Sequence, residues 1–451
     1  LAMIGLSRLV LTHLVAAAAV ALAAALPARA AIDIEPVTSP GGIDAWLVED
    51  HALPFVALEI RFRGGASLDA EGARGAIHLM TGLLEEGAGE LDSQGFATAV
   101  ESLAARFRFD VGNDTLSVSA RMLTENRDAA AALLRDALVE PRFDPADIER
   151  VRAQVLSIIA SDAKDPDAIS GAEFDARAFP GHPYGTPLEG TAESVAALTR
   201  DDLVAAKDRV MARDRVYVGA VGDITPEELG ALLDDLLGDL PETGAPFPED
   251  AGWALDGGLT VVDFETPQSV VTFGHEGIER DDPDFFPAFV MMQIFGGGGF
   301  NSRLMEEVRR ERGLTYGIYA GLYPLDHAEM VLGRVSTVND RVGETISVVR
   351  DEWRRLAENG VTEEELERAK TYLTGAYPLR FDGNARIANI LVGMQLDGLP
   401  LDYVDTRNAR VEAVTLEDIS RVAERLIRPE DLHFVVVGQP EGLPEGVDAA
   451  N

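Results

Sequence analysis

Cysteine is absent from all 451 residues. That excludes disulfides, thiolate-held metals or clusters, and thiol catalysis. It also suits an oxidising compartment, where a stray thiol is a liability. Positive charge is scarce, with 39 Lys and Arg against 77 Asp and Glu and a formal net charge of −38. A nucleic-acid partner is disfavoured, because phosphate binding needs a basic surface. An acidic cleft can attract basic peptides, and a solvated acidic shell can equally serve solubility or salt tolerance. Long apolar runs are missing too, save one from Leu9 to Leu26. Arg8 precedes that run and Ala28-Arg29-Ala30 follows it as a small-x-small cleavage signal, so residues 1–30 are expected to be an export signal, cut after Ala30. An uncleaved anchor is the other reading of the same run. Export places the protein outside the cytoplasm, in the periplasm. Removing Arg8 and Arg29, two positive charges with no acid beside them, takes −38 to −40.

What is present is ordinary for a soluble protein with a large core: 46% hydrophobic and 26% charged residues. The length suggests roughly two to three domains. The chain also repeats itself. Thr199-Arg200-Asp201-Asp202 and Thr415-Leu416-Glu417-Asp418 are both capping boxes, a Thr followed three residues later by an acid, 216 residues apart. Val216–Gly222 and His433–Gly438 both read as buried strands ending at Gly, and 222 and 438 are again 216 apart. Helix starts at Asp144 and Thr362 are 218 apart. Two copies of one fold of about 200 residues follow. The expected division is 31–240, a breaker-rich linker 241–258, and 259–451.

Val56, Leu58, Ile60 and Phe62 alternate with Ala57, Glu59, Arg61 and Arg63, which predicts a strand with one buried face. Hairpins are expected around Gly112-Asn113-Asp114 and around Pro324–His327. Helical periodicity covers 73–86, 127–139, 146–161, 341–359 and 363–377. Long helices beside antiparallel strands give an α+β domain, built twice.

Around His78 the chain reads His78-Leu79-Met80-Thr81-Gly82. Residues i and i+4 share a helix face, so the pattern His-x-x-Glu-His lets two imidazoles grip one zinc beside an acid that activates water. Here Thr81 stands in place of the Glu and Gly82 in place of the second His. A lone His78 cannot hold zinc, which needs about three protein ligands. In the second copy, Gly296-Gly297-Gly298-Gly299 precedes Ser302-Arg303-Leu304, and Arg309 is followed by Gly313-Leu314-Thr315-Tyr316. Four glycines permit a tight turn. A phosphate cradle is not indicated, since no Lys-Ser/Thr follows. There is no Gly-x-Ser-x-Gly elbow of the common serine hydrolases.

Together these motifs resemble the pitrilysin or insulinase-like family of inverted zinc peptidases, in its branch of half-length subunits that includes the mitochondrial processing peptidase. The resemblance spans nearly the whole chain after residue 30. It implies that Arg309 and Tyr316 face the zinc of a partner subunit across a shared chamber. Tyr316 would stabilise the developing oxyanion and Arg309 would hold a substrate carbonyl. It also implies that Gly296–Gly299 contact peptide substrate. The family's third zinc ligand, a Glu on a later helix, falls near Ser157, so His78, Thr81, Gly82 and Ser157 are expected to be a degenerate motif with no metal in this chain. The implied partner is an active His-x-x-Glu-His subunit carrying zinc, in a heterodimer that cleaves extended peptides. A structural or assembly role, as in the core proteins of respiratory complexes, is the alternative. An active peptidase with atypical ligands is a third reading.

Overall fold

The computed structural model describes residues 32–443 and the short strand Asp448–Ala449. The expected export signal lies outside the described residues. Two six-stranded sheets organise the chain. The first comprises β1 (Glu35–Thr38), β2 (Asp44–Glu49), β3 (Phe55–Arg63), β4 (Arg106–Val111), β5 (Thr115–Leu123) and β6 (Val216–Gly222). Their spatial order is β1-β2-β6-β3-β5-β4. The second comprises β7 (Gly258–Asp263), β8 (Gln268–Glu276), β9 (Ile318–Pro324), β10 (Glu329–Val338), β11 (His433–Gly438) and β12 (Asp448–Ala449). Read from its far edge, the order is β12-β7-β11-β8-β10-β9. Five strands therefore follow the same order in both sheets, and within those five each sheet has one parallel pair, β2 with β6 and β7 with β11; β12 adds a second parallel pairing, with β7. The duplication expected from the 216-residue spacing is thus visible in the topology.

The helix starts agree in part. Thr199, Thr415 and Thr362 each close a capping box. Asp144 makes no side-chain cap; Arg142 holds its carboxylate instead, at 2.7 Å. The helix expected over 73–86 is cut to Ala76–Thr81. Gly75 enters it at φ 91°, and beyond Gly82 the bonds Leu83 N–H to Met80 O and Leu84 N–H to Thr81 O tighten into single turns.

β3 is also not buried on one face only. Ala57 and Glu59 are as enclosed as Leu58 and Ile60. The cover comes from the other half: the helix Asn384–Leu396 lies across β3 and β6. Arg61 donates to Asn389 at 2.8 Å, Arg63 to the Leu396 carbonyl at 2.7 Å, and Gln395 to the Val218 carbonyl at 2.8 Å. Glu59 is satisfied beneath this helix by Arg61 at 3.1 Å and the Ser119 hydroxyl at 2.7 Å. The reciprocal contact exists. The helix Pro166–Ala178 of the first half lies on β8 and β11, with Phe174 fully buried there and Ser170 hydrogen-bonded to Thr272 at 2.9 Å. The two helices occupy equivalent positions in the repeat, so each half lends the other the helix that seals its sheet. The described residues from Ile34 onward accordingly form one compact unit.

Candidate functional site

The helix Ala76–Thr81 is positioned by a buried carboxylate. Asp69 accepts from the Gly75 N–H at 2.8 Å and the Ile77 N–H at 2.8 Å, so it serves the free amides of the first turn. Arg74 joins Asp69 at 3.3 Å and reaches the carbonyls of Ala66, Pro183 and Thr186. This clamp draws the loop carrying His182 and Tyr184 against the helix. Asp69 and Arg74 were not found from the sequence: Asp69 stands six and eight residues before the amides it serves, outside the two- or three-residue spacing of a helix cap.

On that helix His78 is half-buried, and its Nδ1 is enclosed without a hydrogen-bond partner. Burial lowers its pKa, with Glu189 acting against the shift and Arg74 adding to it, so the imidazole is neutral at pH 7. Thr81 is 4% exposed and its hydroxyl donates back to the Ile77 carbonyl at 2.7 Å, so a buried, neutral hydroxyl engaged in its own helix stands where a general-base carboxylate would be. Gly82 has Val151 beside it: a Cβ there would sit 3.2 Å from the Val151 Cγ1. Ser157 and its neighbour Ile158 are exposed on the helix Pro145–Asp162 and supply no carboxylate. These residues do not fit zinc. Among the described residues no group of three or more His, Cys, Asp or Glu is placed to hold a metal ion. The other described histidines all have partners. His275 is the clearest: fully buried, it accepts from Trp353 at 3.1 Å, its Nδ1 meets the Glu276 carbonyl at 2.7 Å, and burial drives its pKa down to about 4.

The second-half motifs form a different surface. Gly296 packs on β9, where a Cβ would stand 2.6 Å from the Ala320 carbonyl oxygen and 2.7 Å from its nitrogen. Only glycine permits that approach. Gly299 instead needs its glycine for conformation, at φ 58°, and has open space around it. π-helical turns flank this loop at Gln293–Gly297 and Met305–Glu311. Arg309 lies on the second and stacks over Phe300, 4.7 Å from the ring centroid. Arg309 forms no ion pair among the described residues. Phe300, 66% exposed, received no role in the sequence reading, although it directly follows the glycines. The loop carrying Tyr316 is pinned on both sides. The Leu314 N–H donates to Val308 O at 2.9 Å and the Leu314 carbonyl accepts from Thr337 at 2.5 Å. Thr315 donates to Ser336 O at 2.7 Å. Tyr316 projects from this fixed loop 87% exposed. The structure therefore brings Arg309 to Phe300 beside the glycine loop, whereas among the described residues Tyr316 has no hydrogen bond, ion pair or ring contact with either.

Arg303, from the Ser-Arg-Leu stretch, points inward. It holds Glu365 with two bonds, at 2.5 and 2.6 Å, and donates to Gly360 O at 2.9 Å. It braces the loop against the helix Glu363–Ala376.

Comparison with known proteins agrees with this geometry. The model of the peptidase M16 inactive domain matches residues 197–373, and that of insulinase (peptidase family M16) matches residues 45–192. The non-peptidase homolog YmxG of Helicobacter pylori is 28% identical over 393 residues, covering 86% of this chain and 90% of that protein. The uncharacterized zinc protease ML0855 of Mycobacterium leprae is 26% identical over 397 residues, covering 86% and 88%. A crystal structure of a peptidase M16 inactive domain from Pseudomonas fluorescens shares the fold at a TM-score of 0.85 and 27% identity, covering 92% of this chain and 100% of that one. With both halves matched and a zinc helix that cannot bind zinc, the chain belongs to the insulinase (M16) peptidase family as a non-catalytic member.

Proposed function

We propose that this chain is the silent half of a two-chain zinc peptidase that cleaves extended peptides, exported to the periplasm. The partner supplies His-x-x-Glu-His and the zinc. This chain supplies the facing wall, with Tyr316 to stabilise the developing oxyanion and Arg309 to orient substrate, next to the Gly296–Gly299 loop. The observation that carries the reading is Tyr316 itself. Its loop is held by Leu314 and Thr315, yet the phenol stands 87% exposed. A phenol on a fixed loop, open to solvent, is free to donate to an oxyanion formed on a molecule docked against it. Arg309 supports it, a guanidinium held by a ring with its fork of donors uncommitted to any acid. The residue pattern of positions 1–30 supports export.

The test is reconstitution. The chain and a His-x-x-Glu-His family member from the same organism are purified separately, and peptide cleavage is measured singly and mixed. Cleavage should rise in the mixture, and Arg309→Ala or Tyr316→Ala should lower it by about 10²-fold or more, the loss associated with a single oxyanion donor. An assembly role predicts a complex whose activity ignores both substitutions.

A further inference from the structure

We propose that the groove between the helices Phe285–Met292 and Asn384–Leu396 docks the C-terminal carboxylate of a peptide ending in an aromatic or large apolar residue. A cavity of about 490 Å³ opens there, within the usual range of ligand sites. Its walls are largely aromatic and aliphatic, including Phe286, Phe289, Tyr319 and Met394. Three arginines line it as well, Arg280, Arg380 and Arg407, against a single carboxylate, Asp397. That carboxylate is engaged already, accepting from Arg280 at 3.2 Å.

Arg407 is 5% exposed. It donates to the Leu373 carbonyl at 2.8 Å and to Asn408 at 3.0 Å, and sits 4.5 Å from the Tyr377 ring centroid. All of these partners are uncharged. Neither Arg407 nor Arg380 has a carboxylate within ion-pair distance among the described residues, and the charge of Arg380 acts against that of Arg407. In a chain with 77 acids and 39 bases, this is a local inversion of charge. A buried cation without a counter-ion is costly, and an anion seated between the two guanidinium groups relieves both burial and repulsion. Carboxylate geometry fits the guanidinium fork. The aromatic walls fix the rest of the ligand. An Asp or Glu side chain carries its charge in place of an apolar group, whereas a terminal residue carries a carboxylate and an apolar side chain on one carbon. Gln293 and Gly297 also line the groove, so a docked end lies beside the glycine loop.

The choice of a peptide rests on the proposed role in peptide handling; the preference for a carboxylate does not. The experiment uses the full chain alone and measures binding of an N-acetylated tripeptide ending in Phe, as free acid and as C-terminal amide, with 3-phenylpropionate as the third probe. The acid should bind at least tenfold more tightly than the amide. Arg380→Ala should erase that difference, and Arg380→Glu should reverse it. Arg380 is exposed, so both variants should keep the wild-type circular dichroism. Equal binding of acid and amide, or of neither, overturns the proposal. Binding of 3-phenylpropionate as tight as that of the peptide acid overturns the peptide assignment, because the groove then takes small free acids. No partner subunit enters this assay. Lost stimulation in the mixture with intact acid binding defeats only the proposed subunit role, and the converse defeats only the groove.

Discussion

Arg303 closes a two-point grip on Glu365, at 2.5 and 2.6 Å, and the same carboxylate caps its own helix by accepting from the Thr362 N–H at 2.8 Å. A stretch that reads as a family signature is thus, at Arg303, a brace under the glycine loop. Burial pushes the Glu365 carboxyl up, but the Arg303 bonds outweigh it and bring the pKa to about 2. A carboxyl lowered from its usual 4.5 contributes stability above pH 4.5 and loses it as pH falls toward 2. Thermal unfolding measured against pH should show that loss for the wild type and a flatter profile for Glu365→Gln. Arg303→Ala, which strands a partly buried carboxylate, should cost roughly 3 kcal/mol.

The two glycines of the loop should respond differently to alanine. Gly296→Ala drives a methyl into the backbone of Ala320 and should cost about 1–3 kcal/mol by overpacking. Gly299→Ala meets nothing and carries only the left-handed backbone penalty, about 1 kcal/mol. Chemical denaturation of the two variants separates these outcomes, and equal losses would place Gly296 away from β9.

The exchanged helices make the halves interdependent. Phe174 and Leu391 are both fully buried, each on the sheet of the opposite half. Phe174→Ala should cost about 3–5 kcal/mol and Leu391→Ala about 2–5 kcal/mol. In both variants Trp46 of the first half and Trp353 of the second should report one shared unfolding transition. Expressed separately, 31–240 and 259–451 should fail to fold, since each then lacks a sealing helix. Two stable fragments would contradict the exchange.

Asp175, on the exchanged helix Pro166–Ala178, has its carboxyl raised to about 7 by burial, with Arg334 opposing the shift. A raised carboxyl favours the fold fully below its ordinary pKa of 3.8 and loses that contribution as pH climbs through 7. Asp175→Asn should therefore be the more stable protein at pH 8 and differ least from wild type near pH 4. A melting-temperature series over that interval checks the sign.

Local and periodic features were legible in the sequence. The Thr199, Thr362 and Thr415 caps, the strand pairs around Asn113 and Leu325, and the missing Glu and His beside His78 are all written within a few residues of each other. What escaped depends on contacts between distant segments. Amphipathic periodicity says that Pro166–Ala178 and Asn384–Leu396 each bury a face, but not that each buries it on the other half. The buried Ala57 and Glu59 follow from that exchange, so alternation along β3 misread them. The short helix at His78 was overextended because its apolar residues continue past Gly82, while the backbone turns. Arg380 and Arg407 are 27 residues apart and become a pair only once three helices meet.

This polypeptide has no zinc grip of its own: among the described residues no His, Cys, Asp or Glu joins His78 in a group of three. The most direct measurement is the zinc content of the isolated full chain, by elemental analysis after metal exposure and gel filtration, together with peptide hydrolysis by the same sample. Far less than one zinc per chain and no hydrolysis are expected, unchanged in His78→Ala. One zinc per chain, lost in His78→Ala along with peptide cleavage, would contradict it.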